Sequence, residues 1–100
     1  MRVKSGVTAV SSSGTPVRLR NTKELVQKIY ISTAGNSGLM YFGDSTVEGS
    51  GTVSGLVIAT TQSPQEIIFE SATGGGVEFN VLYVDAATSG DDLYWLAVLQ

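Results

Sequence analysis

Short apolar runs alternate with clusters of small, turn-forming residues, and this spacing constrains the fold more than any other feature. Glycine, serine and threonine supply 34 of the 100 residues, which makes the chain poor material for helices. Eight runs of four to eight residues at short intervals are typical of an all-β sandwich or barrel. The predicted strands are Val7–Val10, Pro16–Leu19, Leu25–Ser32, Leu39–Gly43, Gly55–Thr60, Glu66–Phe69, Glu78–Val84 and Leu93–Leu99.

Alternation within these runs predicts which side chains face the core. In Leu25–Ser32, a period of two directs Leu25, Ile29 and Ile31 inward. The run Leu93–Leu99 is instead apolar on both faces, which favours a strand covered on both sides, at a sheet centre or in a subunit interface. Trp95 within this run is most simply a core residue.

Composition limits the chemistry that the chain can perform. Apolar residues make up 42% and charged residues 15% of the chain, which is enough apolar material for one core. The chain has no cysteine and no histidine, so disulfides, thiolate chemistry, Cys/His zinc sites and imidazole bases are excluded. No apolar run matches a signal peptide or a membrane span, and we expect a soluble, single-domain, non-enzymatic protein without a cofactor.

The charges are strongly segregated along the sequence. All six basic residues lie in residues 1–28 with one acid, a net charge of +5, whereas residues 29–100 hold eight acids and no base, a net charge of −8. Either the first strands expose a basic face on an acidic body, or this basic edge docks on an acidic surface of another molecule. Nucleic acid is disfavoured as a partner, because no aromatic residues lie between the Arg and Lys residues of this segment and the acidic body repels phosphates.

Acidic loops offer the only candidate ion ligands. Asp44 and Ser45, and the pair Asp91 and Asp92, lie in glycine-flanked loops whose oxygens could suit calcium. Neither loop matches the twelve-residue EF-hand pattern, so we favour turn capping by Asp44 and Ser45 and a solvated loop tip at Asp91 and Asp92. Asp85 is expected to cap one helical turn in the loop that follows it.

Two further features have alternative interpretations. Gly74–Gly76 lacks the lysine and the strand–loop–helix context of a phosphate loop, and we expect a mobile surface loop there. The eight aromatic residues could form a sugar-binding platform, with Tyr30 and Tyr41 as candidates, although core and interface positions are more common for aromatic side chains in a small β-domain.

Two stretches carry a resemblance to a known group of proteins. Residues 28–47 read K-I-Y-I, then an Asn/Gly turn, then Y-F-G-D-S-T-V, and residues 82–96 read L-Y-V-D-A-A-T-S-G-D-D-L-Y-W-L. Together with Gly14–Leu19, they resemble strand and turn signatures of small structural proteins of tailed-bacteriophage virions. The resemblance spans about residues 14–99, but the basic opening and Gly74–Gly76 match nothing in it.

The resemblance implies a single antiparallel, jelly-roll-like sandwich that acts as a capsid decoration (cement) protein on the virion surface. Its partners would be the major capsid protein and further copies of itself in a homotrimer. A basic segment with the first strands, residues 1–24, would pack on a sandwich body, residues 25–100. The residues predicted to meet the shell or a neighbour are Arg2, Lys4, Arg18, Arg20 and Lys23, and those predicted for the oligomer contact are Tyr94, Leu96 and Val98.

Two other functions remain open at this point. A tail or head-fibre domain could recognise host surface glycans through exposed aromatic side chains. A head–tail connector or tail component would also be structural but would have a different symmetry. In all of these, the protein binds something and converts nothing.

Overall fold

The computed structural model describes residues 2–69 and 75–100, which form two antiparallel β-sheets packed face to face. Sheet A contains β1 (Arg2–Ala9), β3 (Leu25–Thr33), β6 (Gln62–Ile68), β7 (Val77–Glu78) and β9 (Asp92–Leu99). Sheet B contains β2 (Val17–Arg18), β4 (Met40–Gly43), β5 (Leu56–Ile58) and β8 (Tyr83–Ala86). The predicted all-β sandwich is confirmed, with nine strands in the described residues where eight runs were expected.

The strand order is that of a jelly roll. Strands pair from the two ends of the chain inward: β1 with β9, β2 with β8, β3 with β6, and β4 with β5. These pairs alternate between the sheets, giving the orders β1-β9-β3-β6 and β2-β8-β4-β5. The short strand β7 extends the β6 edge by pairing with the start of β3. This arrangement makes β9 a central strand and β1 an edge strand of sheet A.

The core lies between the sheets and is centred on aromatic and β-branched side chains. Phe79 and Trp95 meet edge to face with ring centroids 5.0 Å apart. Ile29 and Ile31 are fully buried beside them, as the alternation predicts. Gly6 lies against the indole of Trp95, where a Cβ would come within 2.5 Å of Cζ2, so this position admits no side chain without a shift. The prediction that Trp95 belongs to the core is confirmed.

The prediction that Leu25 of β3 faces the core is wrong, because the strand contains an irregularity. The register between β3 and β9 shifts between Val26 and Lys28, which inserts one residue into the alternation. Val26 is therefore fully buried in the core, whereas Leu25 is only partly buried. A period of two read directly from the sequence cannot detect such a bulge.

The single strand predicted over Glu78–Val84 is interrupted. Residues Phe79–Val81 form a 3-10 turn between β7 and β8. The amide of Phe79 donates to the carbonyl of Glu24 at 2.9 Å, and the amide of Asn80 donates to the carbonyl of Thr22 at 2.9 Å. These long-range bonds to the segment before β3 hold the turn and direct Phe79 into the core.

Asp85 is a buried strand residue of β8 and does not cap a helical turn, so that prediction is wrong. Its Oδ1 accepts from the amides of Gly14 at 3.1 Å and Ala86 at 2.8 Å, and its Oδ2 accepts from the amide of Gly49 at 2.8 Å. The side chain lies on the outer face of sheet B because its neighbours Val84 and Ala86 face the core. Two loops thus fold over that face and are fixed to one carboxylate.

The first and sixth strands extend beyond their predicted limits. β1 begins at Arg2 and not at Val7, because its whole length pairs with β9. β6 begins at Gln62 and includes Pro64, which is tolerated since β6 is an edge strand.

Of the predicted loop Gly74–Gly76, Gly74 lies outside the described residues. Gly76 packs against β3, where a Cβ would come within 2.4 Å of the Val26 carbonyl oxygen.

Candidate functional site

The last strand directs one face into the core and one face outward. Leu93, Trp95, Ala97 and Leu99 belong to the core, whereas the predicted oligomer residues alternate with them on the outer face of sheet A. Tyr94 is 41% exposed and Leu96 39% exposed, but Val98 retains only 8% exposure. Within the single chain, the inner face of this strand is covered, while the outer face is covered at Val98 and open at Tyr94 and Leu96.

This exposed surface continues across the neighbouring strands and forms what we call the apolar face. Pairing in register places Val3 and Val7 of β1 beside Val98 and Tyr94, and places Ile68 of β6 in the row of Val3 and Val98. Val3, Val7 and Ile68 are each more than half exposed. Val3 and Ile68 were not predicted for this surface, although Val3 and Val7, which share one face of an extended strand, were a signal for the former.

An open groove of about 430 Å³ crosses the apolar face. It is bounded by neighbouring strands of sheet A and lined by Tyr30, Ser32, Pro64, Tyr94, Trp95 and Leu96. Tyr41, the other aromatic residue considered for sugar binding, is buried on sheet B and cannot serve as an exposed platform. The structure thus places Tyr30 and Tyr94, and not Tyr41, at an accessible aromatic surface.

One ion pair lies within the apolar face. Tyr30 Oη donates to Glu66 Oε2 at 2.6 Å, and Lys28 Nζ lies 3.6 Å from the same oxygen. The Tyr30 hydroxyl, helped by the Lys28 charge, lowers the pKa of Glu66 below its ordinary value. Tyr30 and Glu66 in turn raise the pKa of Lys28. The two charges neutralise each other, so the face carries little net charge.

Two of the predicted docking residues converge on one acid. Arg2 Nη2 lies 3.1 Å from Glu24 Oε2, and Arg20 Nε lies 3.5 Å from Glu24 Oε1. Loss of water raises the pKa of Glu24, but the Thr22 hydroxyl and the two guanidinium groups lower it by more, and the net shift is downward. Two cations around one anion leave a positive excess at this site, and the Arg2 side chain remains 64% exposed.

The other predicted docking residues are exposed at separate positions. Lys4 lies on edge strand β1, in the register that faces the core, and Lys23 lies in the segment before β3. Neither lies in an ion pair within the part of the chain that the structure describes. The Arg18 guanidinium lies 5.6 Å from the centre of the Tyr83 ring. Inward-facing charge on an edge strand also discourages edge-to-edge pairing between molecules, which gives Arg2 and Lys4 a structural role as well.

The acidic loops serve as turn and loop anchors. Asp44 Oδ1 accepts from the amide of Thr46 at 2.9 Å and from its hydroxyl at 2.6 Å, and these bonds lower the pKa of Asp44. Asp91 accepts from the amides of Ser37 at 3.0 Å and Gly38 at 2.9 Å and is buried, so the predicted solvated tip is wrong for this residue. Among residues 2–69 and 75–100, no three acidic side chains cluster as metal ligands.

The protein therefore presents two surfaces of different chemistry: the apolar face of sheet A, and the basic residues near its first strands. An apolar face suits a dry protein contact, whereas exposed cations suit an acidic surface and a salt-dependent encounter. Within the described residues, no helix is long and apolar enough to span a bilayer. Comparisons with protein-family models, with curated proteins and with solved structures give no match.

Proposed function

We propose that this chain is a structural virion protein that decorates a phage capsid and stabilises the assembled shell. The observation that carries the proposal is the group of exposed basic residues near the first strands of a jelly-roll sandwich, because exposed cations suit an acidic protein surface. The phage context comes from the strand and turn signatures of residues 28–47 and 82–96, which resemble those of small virion proteins.

The stabilising mechanism is mass action. A protein that binds the assembled shell and not the free subunits favours assembly by an amount that grows with its concentration relative to the Kd. Many weak contacts repeated over a shell therefore add to a large effect. No chemical step is needed, and the partner would be the major capsid protein.

The basic residues provide the docking surface in this proposal. Lys4 and Lys23 are exposed and make no ion pair within the described residues, while Arg2 and Arg20 share a single carboxylate. Glu24 compensates only part of the positive charge of Arg2 and Arg20, and an acidic shell surface would compensate the rest. Attraction of this type accelerates association and weakens as salt is added.

The test compares two variants that carry the same change in net charge. Lys4→Gln/Lys23→Gln lowers the net charge by two within the docking residues, and Thr52→Glu/Ala87→Glu lowers it by two at exposed positions outside them. Binding would be measured by cosedimentation with capsid shells that have been stripped of this chain, over a series of salt concentrations. We expect the first variant to bind about three- to tenfold more weakly at low salt and with a shallower salt dependence, since rim charges contribute about 0.2–1 kcal/mol each.

Two results would contradict this proposal. If the unmodified chain does not bind shells, decoration is wrong. If both variants bind as the unmodified chain does at every salt concentration, the basic residues are not the docking surface. Shells with the chain bound should also resist heating better than bare shells.

A glycan-binding domain of a tail or head fibre is the second candidate, and the groove with Tyr30 and Tyr94 is the observation that favours it. Sugar rings stack on exposed aromatic side chains, and a groove of this size accommodates one or two residues of a glycan. Binding of the isolated protein to a glycan array, lost in Tyr94→Ala and kept in Tyr41→Phe, would support this function over capsid decoration.

A further inference from the structure

The apolar face is a surface that the fold leaves open. On the outer face of sheet B, Tyr41 and Asp85 are buried and two of the protein's own loops anchor to Asp85, while Val57 on edge strand β5 stays exposed. Over the residues that the structure describes, no equivalent loop crosses the outer face of sheet A, where Val3, Val7, Tyr94, Leu96 and Ile68 remain exposed. The asymmetry between the two sheets points to a partner on sheet A.

Strand pairing arranges the outward side chains of this face in rows. Across β1, β9, β3 and β6, the first row is Val3, Val98, Lys28 and Ile68, and the second row is Ser5, Leu96, Tyr30 and Glu66. The third row contains Val7, Tyr94 and Ser32, and Pro64 of β6 lies beside it in the groove. Within these rows, the only charged side chains are Lys28 and Glu66, which pair with each other.

We propose that this face binds the same face of a second copy, with the two-fold axis parallel to the strands and between β9 and β3. Such an axis sets β1 opposite β6 and β9 opposite β3 of the other copy. Val3 then meets Ile68, Leu96 meets Tyr30, and Val7 meets Pro64, so apolar side chains oppose apolar or aromatic ones. This contact follows from exposure, register and charge, and it does not depend on the decoration function.

Charge selects this axis over the alternative. With the axis along the strands, Lys28 meets Val98 and Glu66 meets Ser5, and no like charges face each other. A two-fold axis across the strands would bring Glu66 opposite Glu66 and Leu96 opposite Leu96. Opposed like charges at a contact are unfavourable, so the first arrangement is favoured. A threefold assembly would require this face to meet a different surface, whereas a two-fold axis pairs it with itself.

The size of the face sets the expected strength of the contact. Four strands about 4.8 Å apart, with rows that span five residues at about 3.3 Å each, give a face on the order of 20 Å by 17 Å. Two such faces amount to roughly 700 Å² in total, below the about 1,200 Å² at which standard specific interfaces begin, so the contact is in the weak class. We therefore expect a dimer that dissociates on dilution.

The first experiment tests the face with two leucines of equal exposure. Leu96 is 39% exposed on the apolar face, and Leu56 is 40% exposed on edge strand β5 of sheet B. Sedimentation velocity over a concentration series should show a monomer–dimer equilibrium for the unmodified chain. Leu96→Glu should raise the dimer Kd at least tenfold, and Leu56→Glu should leave it unchanged, with the fold of each variant checked by urea unfolding.

The second experiment tests the axis and uses the absence of cysteine from the chain. Facing sheets lie about 10 Å apart, so a bismaleimide of about that span is the suitable crosslinker. A mixture of Leu96→Cys and Tyr30→Cys chains should give crosslinked heterodimers, as should a mixture of Val3→Cys and Ile68→Cys chains. Val3→Cys alone should crosslink poorly, because its two copies lie three strand spacings apart across the face, about 14 Å, and Thr52→Cys in an exposed loop should not crosslink.

Several outcomes would overturn the inference. A chain that stays monomeric at millimolar concentration would exclude the dimer. A stable trimer would support the expectation drawn from the virion resemblance instead. Efficient crosslinking between Val3→Cys and Val7→Cys chains would indicate the axis across the strands, and equal loss of association in both glutamate variants would remove the face from the contact.

Discussion

At the scale of single residues, Asp85 shows how much structure can depend on one side chain. The carboxylate is fully buried and accepts bonds from the amides of Gly14, Gly49 and Ala86. Gly49 is required beside it, because a Cβ there would come within 2.5 Å of the Ala86 carbonyl oxygen. Two loops distant in sequence are therefore fixed over sheet B by one group, and they leave sheet A as the open face.

Replacement of Asp85 by asparagine should be strongly destabilising. An amide has one acceptor oxygen, so its NH2 group would face at least one amide donor that the carboxylate now satisfies. We expect a loss of about 3 kcal/mol in the free energy of unfolding, measured by urea denaturation, since bonds to a charged acceptor contribute about 1.5–3 kcal/mol. The tryptophan signal of Trp95 reports the transition.

Asp44→Asn is the matched control for that variant. Asp44 is exposed, and a single oxygen of its side chain accepts both bonds from Thr46, which an amide oxygen can also do. Its stability should change little. Equal losses in the free energy of unfolding of the two variants would show that the number of amide donors at Asp85 does not determine how much this residue contributes to stability.

At the scale of elements, a relay of hydrogen bonds joins three strands. Trp95 Nε1 of β9 donates to Thr8 Oγ1 of β1 at 2.9 Å, and this hydroxyl donates to the carbonyl of Leu19, just after β2, at 3.2 Å. The relay is buried and crosses from sheet A to the end of β2 on sheet B. The edge strand β1 is thereby fixed to both sheets, and not only to its neighbour β9.

Thr8→Val should break this relay while keeping the shape of the side chain. The indole N–H and the Leu19 carbonyl would each lose a partner in a buried environment, which costs about 1–3 kcal/mol for each unsatisfied group. Thr8→Ser keeps the hydroxyl and should lose about 0.8 kcal/mol for the missing methyl group. Urea unfolding would separate the two, and a serine variant as unstable as the valine variant would contradict the relay.

Much of the fold and part of the site could be predicted from spacing and alternation. The run spacing indicated a sandwich, and the two-residue period of a strand placed Tyr94 and Leu96 on the opposite face from the core residue Trp95. These features are local, so a single sequence contains them. Ile67 and Ile68 are adjacent apolar residues, and only the register of β6 on β3 shows that Ile68 is the one that faces outward.

The errors share a physical cause, which is that long-range bonds override local patterns. The strand predicted over Glu78–Val84 is broken because Phe79 and Asn80 donate to carbonyls of the segment before β3. Asp91 was expected in solvent, but it accepts from two amides of the loop that precedes β4. An aspartate beside a glycine is typical of a solvated turn, and only the tertiary structure distinguishes a loop tip from an anchor.

At the scale of the whole molecule, the exposed basic residues and the apolar face lie in different regions of the surface. The basic residues near β1 and β2 surround Glu24, and the apolar face holds only the internally paired Lys28 and Glu66. A molecule built in this way can bind a copy of itself through one surface and a larger acidic assembly through the other. The two proposed contacts do not share residues, so each can be removed by mutation while the other is kept.

The same charges predict how stability depends on pH. The pKa of Glu24, of Asp44 and of Glu66 each lies below its ordinary value in the folded protein. The unfolded chain therefore binds more protons than the folded chain in the acid range, and stability rises with pH there. The contribution is complete above the ordinary carboxyl pKa values of 3.8 and 4.5 and is lost as the pH falls through the lowered values.

We expect the free energy of urea unfolding to be nearly constant from about pH 5.5 to 8, since the chain has no histidine to titrate in that range. It should then fall progressively below about pH 4.5. Tyr30→Phe removes the hydroxyl that lowers the pKa of Glu66, so its curve should be flatter in acid than that of the unmodified chain. A free energy of unfolding that is constant down to about pH 2, or that drops between about pH 6 and 8, would show that groups other than these carboxylates govern the pH dependence of stability.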